Sequence, residues 1–478
     1  MKRRVLRNLA ILWALLGFFI FVTSCGTPSG TQPNTPPSKP GNPNPANGAT
    51  NVSRTTTLSW SCSDPDGDTL TFDIYFGTDQ NPPLFESNHT GTNYQPDTLA
   101  SSTTYYWKIV AKDGKGGVTE GDVWSFSTIA ITGNLSILAE IPLEINNVSG
   151  PVYSSPALGP DGKIYIGSQG EYLVVSPTSY SIVDAKVASP VWSSPVVDYW
   201  NNVVYFVDNN GYLNVYPSKT SYKISDYSIY AAPILVGDYI YVVDLAGRII
   251  RVSKANPASY SMIKNLGKEI RSSPVAIGEK LFIASVDGCI FAVNLPGGTV
   301  QWQTQVSDNF YGGFAVDTEG NLYIAGTKLW CINSTNGSIL WSYNLADQAY
   351  GSPVISENGA VYVGDISGAL HAVKEGQLIW EKQDLGLILS SCVIGDNGVI
   401  YVVGGTYMLA INPSDGSVID SVELRNYVES NPVLHFGKLF VADEAGYLYV
   451  ISALSSSTQD PDVSWPMFQR DWYHTATR

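Results

Sequence analysis

One unit returns along most of this chain, and its clearest marker is a Ser-Ser-Pro step or a close variant of it. Equivalent positions fall at Pro156, Pro195, Pro233, Pro274, Phe314, Pro353, Cys392 and Pro432, at intervals of 39, 38, 41, 40, 39, 39 and 40 residues. A period near forty with strand-like content restricts the fold severely. One small twisted sheet cannot bury both of its faces, so neighbouring sheets must stack on it, and the circle must close to hide the last edge. In the sixth unit Glu357-Asn358-Gly359, Ser367-Gly368 and Glu375-Gly376 separate four apolar runs, PVIS, AVYVGD, ALHAV and QLIW. Three turns make four antiparallel strands, which predicts an eight-bladed β-propeller over residues 135–478. Leu135–Leu143, LSILAEIPL, precedes the first marker without a unit of its own, while the last unit lacks a strand after Val450. The early segment is therefore expected to complete the eighth blade.

The chain has 478 residues, more than one compact domain usually holds. Charged residues make up 14% of it against 44% apolar, with 29 Tyr and 12 Trp, a balance that suits strands and predicts an all-β protein. The net charge of −15 repels phosphate backbones and excludes nucleic acid as a partner. Upstream of the repeats, TTLSWSC, TLTFDIYFG, TTYYWKIVA and VWSFST alternate apolar and polar residues between turn signals. Leu58, Trp60, Phe72, Ile74, Trp107 and Ile109 then face one another across two sheets, which predicts a β-sandwich over 46–128.

The amino terminus has a basic head, an apolar run from Leu9 to Val22 and then Thr23-Ser24-Cys25. The run is short for a membrane span and suits a signal peptide over 1–24. Val22-Thr23-Ser24-Cys25 resembles the bacterial lipobox, which implies that Cys25 carries acyl chains and holds the protein on a membrane. Several chains at about 0.8 kcal/mol per buried methylene make such an anchor lasting. Gly26 after that cysteine implies outer-membrane sorting in a cell that has one. Residues 25–45 are proline-rich with little to bury, and read as an extended tether. Cys62, Cys289, Cys331 and Cys392 follow no metal-ligand or CxxC spacing and read as free thiols.

Two further resemblances concern the folded parts. LASSTTYYWKIVAKD, from Leu99, resembles the corner and following strand of fibronectin type III domains, which implies that the Tyr105 hydroxyl caps a backbone turn. SSPVV, VYVGD, LHAV and an outer tryptophan resemble pyrroloquinoline quinone-type propeller repeats. That resemblance implies that Trp302, Trp341 and Trp380 dock between blades. Units one to three carry TSYS, TSYK and ASYS instead, near Tyr180, Tyr222 and Tyr260, so docking there must use other side chains. An exported, tethered propeller also resembles the scaffold lipoproteins of outer-membrane protein assembly, which bind proteins and catalyse nothing. The sandwich module departs from those and keeps a polysaccharide-binding surface protein open as the alternative.

Quinone-dependent dehydrogenases share these repeats, but their chemistry requires a calcium site, a catalytic Asp and commonly adjacent cysteines. No adjacent cysteines, long insertions or paired histidines occur, so the expectation is a protein that is not an enzyme, with no cofactor and no metal. The loop Asp64-Pro65-Asp66-Gly67-Asp68 lacks the length and distal Glu of an EF-hand, and reads more simply as a tight turn than as a calcium loop. The binding candidate lies three residues before each marker. That series holds five aromatics, Tyr153, Trp192, Tyr230, Tyr311 and Tyr350, with Arg271, Leu389 and Glu429 at the other positions. Pseudo-symmetry would set them around one mouth of the channel. They either form a binding crown for a protein or polysaccharide, or wedge between blades as core.

Overall fold

The computed structural model describes residues 33–96, 99–131, 133–144, 150–187, 189–455, 458 and 467–471. Cys25 and the segment expected to be a signal peptide lie outside them. Among the described residues, eight four-stranded antiparallel sheets follow one another from residue 136 to 452. The sixth runs Val354–Ile355, Val361–Gly364, Leu370–Lys374 and Gln377–Lys382, with its turns where the sequence placed them. At the last turn Glu375 and Gly376 both have positive φ, +50° and +77°, and Lys374 pairs directly with Gln377. A two-residue turn of this kind has the twist that antiparallel strands need. In the fourth sheet the second and third strands, Lys280–Ala284 and Cys289–Asn294, are buried on both faces over most of their length and so read as apolar runs, whereas the outer strand Thr299–Gln305 alternates.

The eighth sheet is composite. Val433–His435, Lys438–Ala442 and Tyr447–Ser452 are completed by Ser136–Pro142, which pairs antiparallel with the last of them from Ser136↔Ser452 to Pro142↔Tyr447. Ile141 and Leu143 enter the same core as Val450 and Ile451. The apolar alternation of LSILAEIPL is thus satisfied by a strand more than three hundred residues away.

The marker itself has a physical reason. Its second residue places a side-chain oxygen where the preceding blade has a free backbone N–H. Ser155 N donates to Ser194 Oγ at 3.0 Å, Gly313 N to Ser352 Oγ at 2.6 Å, Ser352 N to Ser391 Oγ at 2.8 Å and Ser391 N to Asn431 Oδ1 at 2.7 Å. Asn431 N donates to Ser155 Oγ at 3.0 Å and joins the eighth blade to the first. The pattern skips where Ala232 and Gly313 have no side-chain oxygen to offer. The aspartate of VYVGD closes the next turn: Asp365 Oδ1 accepts from the N–H groups of Ser367 and Ala369, and Asp443 repeats this with Ala445 and Tyr447.

Upstream, Gly41–Asn44, Leu58–Ser61 and Asn93–Tyr94 form one sheet, and a second contains Ala49–Val52, Trp124–Thr128, Thr104–Lys112, Thr71–Gly77 and Leu84–His89, with Val118–Glu120 at its side. They share a core of Leu58, Trp60, Phe72, Trp107 and their neighbours, in which Trp107 packs at 4.7 Å from Trp124. The Tyr105 hydroxyl accepts the N–H of Ala100 at 2.9 Å. Of the tether expected over residues 25–45, residues 37–44 are bound to the sandwich. Ser38 N donates to Ser63 O, Thr119 Oγ1 to Pro37 O, and Gly41–Asn44 is itself a strand, because prolines tolerate a sheet edge. This unit touches the ring through Arg54, which is fully buried and donates to Leu99 O, Asn412 Oδ1 and Ser414 Oγ. Burial lowers its pKa to about 10. The four cysteines among the described residues are free, Cys62 half-buried and the others buried.

Candidate functional site

The residue three before each marker stands where the outer strand of one blade hands over to the inner strand of the next. Turns between second and third strands lie at the same end of the sheets. The structure brings all eight of these positions into the wall of one cavity of about 710 Å³. Tyr153, Trp192, Tyr230 and Tyr311 are half-buried, and Tyr350 is 41% exposed.

The wall has distinct sectors. On blades one to three, Tyr153 meets Trp192 edge to face at 5.2 Å and 76°, and Trp192 stacks on Tyr230 at 5.3 Å. On blades five and six, Tyr311 and Tyr350 stack at 4.8 Å and 15°. Arg271 on blade four extends its guanidinium over Tyr230 at 5.3 Å and pairs with Glu269 at 2.7 Å. On blade eight, diametrically opposite Arg271 in ring order, Glu429 hydrogen-bonds Glu444 of the neighbouring turn. Partial burial, and then the Glu444 charge and hydrogen bond, raise the Glu429 pKa to about 7. Burial followed by these two carboxyls also raises the Tyr153 pKa. The indole N–H of Trp192 is buried without a hydrogen-bond partner among the described residues. Ser194, Ser273, Ser352 and Asn431, whose side-chain oxygens link neighbouring blades, line the same space.

Glu444 had no signal in the repeat, since it sits in a turn whose meeting with the crown is set by tertiary placement, and Glu269 lies two residues before Arg271 on the same connection. Phe468 of the tail also lines the cavity, and Met467 beside it is fully buried in the ring's core. The tail meets the ring at the opposite end, where Thr458 bridges Gly395 in the first turn of blade seven.

Trp302 donates its indole N–H to Ser334 O at 3.0 Å, and Trp380 donates to Pro413 O at 2.7 Å. Each spans to the next blade. A Cβ on Gly337 would stand 2.5 Å from Trp302, on Gly376 3.3 Å from Trp341 and on Gly416 2.7 Å from Trp380, so the turn glycines form the seats of the indoles. In the aspartate loop, Asp64 Oδ1 accepts the N–H groups of Asp66 and Asp68 as a turn does, and Asp66 Oδ2 holds Thr35 N. Asp113 joins Asp64 and Asp68 there, with one oxygen from each within 4.8 Å of the others.

Against this geometry stand the comparisons. A family model described as outer membrane protein assembly factor BamB matches residues 286–384 and 366–471. A search of curated proteins finds no match. Among solved structures, BamB from Moraxella catarrhalis is 18% identical, covering 67% of this chain and 98% of its own, with a TM-score of 0.52. The C-terminal WD40 domain of Sif2 is 13% identical over 67% of this chain and 99% of its own, with a TM-score of 0.54. The computationally designed Ika8 protein is 10% identical over 65% and 98%, with a TM-score of 0.55. At such identities the structural likeness establishes the fold alone, and with the repeat match it supports a β-propeller of the pyrroloquinoline quinone type.

Proposed function

We propose that this chain is a non-enzymatic scaffold of the bacterial cell envelope, anchored through lipidated Cys25, which binds partner proteins at the mouth of its ring. The observation that carries this reading is the crown. Tyr, Trp and Arg are the residue types that dominate binding hot spots, and here they line an open cavity on a frame closed by strand pairing and hydroxyl links. A stiff frame reduces the ordering cost of association. The partial match to an outer-membrane assembly factor supports an envelope role and a location at the outer membrane. The two-sheet unit, with its Tyr105 corner, is read as a fibronectin type III-like spacer that holds the ring away from the tether.

A photo-crosslinking residue at Tyr350, in the mouth, compared with one at Trp200, 90% exposed on a first turn at the opposite end, tests this in intact cells. The mouth position is expected to give discrete protein adducts and Trp200 none. Protein adducts from Trp200 alone, or a glycan-array signal abolished by Tyr350→Ala, would replace the reading, the latter with polysaccharide binding. Loss of membrane retention in Cys25→Ser tests the anchor.

A further inference from the structure

We infer that the mouth receives a cationic segment, a lysine- or arginine-bearing loop or terminus of a partner protein, whose charge seats between Glu429 and Glu444 against Tyr153 and Trp192. The inference rests on the protein-binding reading above and specifies its chemistry.

The acid pair is the first reason. Two carboxyl groups can hydrogen-bond each other only by sharing a proton, and neither Glu429 nor Glu444 meets a cation among the described residues. Other acids of the ring do: Asp198 has Lys254 at 3.0 Å, Asp244 has Arg248 at 2.7 Å and Asp365 has His371 at 2.9 Å. The second reason is balance. Arg271, the one cation among the residues lining the mouth, is already held by Glu269, so the space is acidic in sum. The third is the pair of rings. Tyr153 stands beside both acids and meets Trp192 nearly perpendicular at 5.2 Å, so a cation held by the acids reaches an aromatic wall that attracts positive charge. An ammonium or guanidinium placed there donates to both carboxylates and takes over the role of the shared proton.

That exchange links binding to pH. The groups facing Glu429 are Glu444 from its own blade and Tyr153 from the first, Leu389 on the seventh blade carries no charge, and Arg271 and Glu269 lie across the mouth. A cation must displace the proton held by Glu429, so affinity rises with pH through about 7. One displaced proton corresponds to about a tenfold gain between pH 6 and pH 8.

Calorimetric titration of the purified full chain with an end-blocked tetralysine peptide at physiological salt tests the inference. The chain is expected to bind it at least tenfold more tightly than the Glu429→Gln/Glu444→Gln variant does, and to lose about tenfold in affinity from pH 8 to pH 6, with the variant flat. Asp79→Asn/Asp238→Asn removes the same charge far from the mouth and is expected to match the parent. Equal affinity of parent and mouth variant overturns the inference, because the peptide then reads only overall charge. Spermidine binding as tightly as tetralysine overturns it too, in favour of a small polyamine. If the crosslinker at Tyr350 captures the same protein from the parent and the mouth variant while tetralysine discriminates neither, the scaffold reading stands and this inference falls. If the mouth gives no protein adduct at all, both fall.

Discussion

Blades four to six and blades one and seven solve the same problem with different chemistry. In the first group the outer strand carries a tryptophan, opposite Ala292, Cys331 and Ala372, that lies on a glycine turn of the next blade. At the same register blade one has Asp184, opposite Val174, and blade seven has Asp420, opposite Ala410. Asp184 reaches Lys219 in the turn of blade two, and Asp420 accepts the N–H of Leu135 at the start of the closing strand. An indole on a glycine removes apolar surface from water and ignores salt, whereas a partly exposed ion pair is screened and a single hydrogen bond adds only modestly. The ring therefore has strong joints from blade four to blade seven, and weaker ones between blades one and two and between blades seven and eight.

The largest effect expected from breaking this contrast is at Trp380, which is 9% exposed and joins the sixth blade to the seventh. Trp380→Ala should cost about 3 kcal/mol in denaturant unfolding, through lost contacts and the void left behind. A loss near zero would mean that the strong joints are no stronger than the polar ones. Gly416→Ala approaches the same joint from the other side. Its φ of +72° and the 2.7 Å approach of Trp380 should together cost about 2 kcal/mol by the same measurement.

The acid pair sharpens the comparison within the eighth blade. The folded protein holds the Glu429 proton up to about pH 7, while the unfolded chain releases it near the ordinary 4.5, so stability falls as pH rises between those values. Glu429→Gln should therefore be neutral at pH 5 and stabilising by about 1 kcal/mol at pH 8, a modest amount because the rim is open to screening solvent. Thermal melts at the two pH values check the sign. The smallest effect belongs to Asp184→Ala, at most about 0.5 kcal/mol and vanishing in molar salt.

Much of this was legible in the sequence because repetition makes geometry periodic. Pro156 to Pro432 set the unit length, Glu375-Gly376 the place of a turn, and LSILAEIPL the closing strand. The crown could be named because pseudo-symmetry carries one position to one place, as Tyr153 and Tyr350 show by lining the same cavity. What breaks the repeat was not legible. Glu444 meets Glu429, Asp113 meets Asp64, and Arg54 reaches Asn412 only through tertiary placement. The role of the second serine in the marker also escaped, since a hydroxyl linking neighbouring sheets leaves no trace in a hydrophobic pattern.

The central claim is that the aromatic mouth recognises a partner and is not merely part of the ring's packing. The most direct test is the variant Trp192→Ala/Tyr350→Ala carrying a photo-crosslinker at position 311, with melting temperature and yield of crosslinked protein measured on the same preparation. The account predicts a melting temperature within about 1 °C of the parent, as half-exposed rings demand, and a crosslink yield at least tenfold lower. A melting temperature lowered by about 3 °C or more, the shift expected for about 2 kcal/mol in a ring of this length, with the crosslink retained, would contradict it.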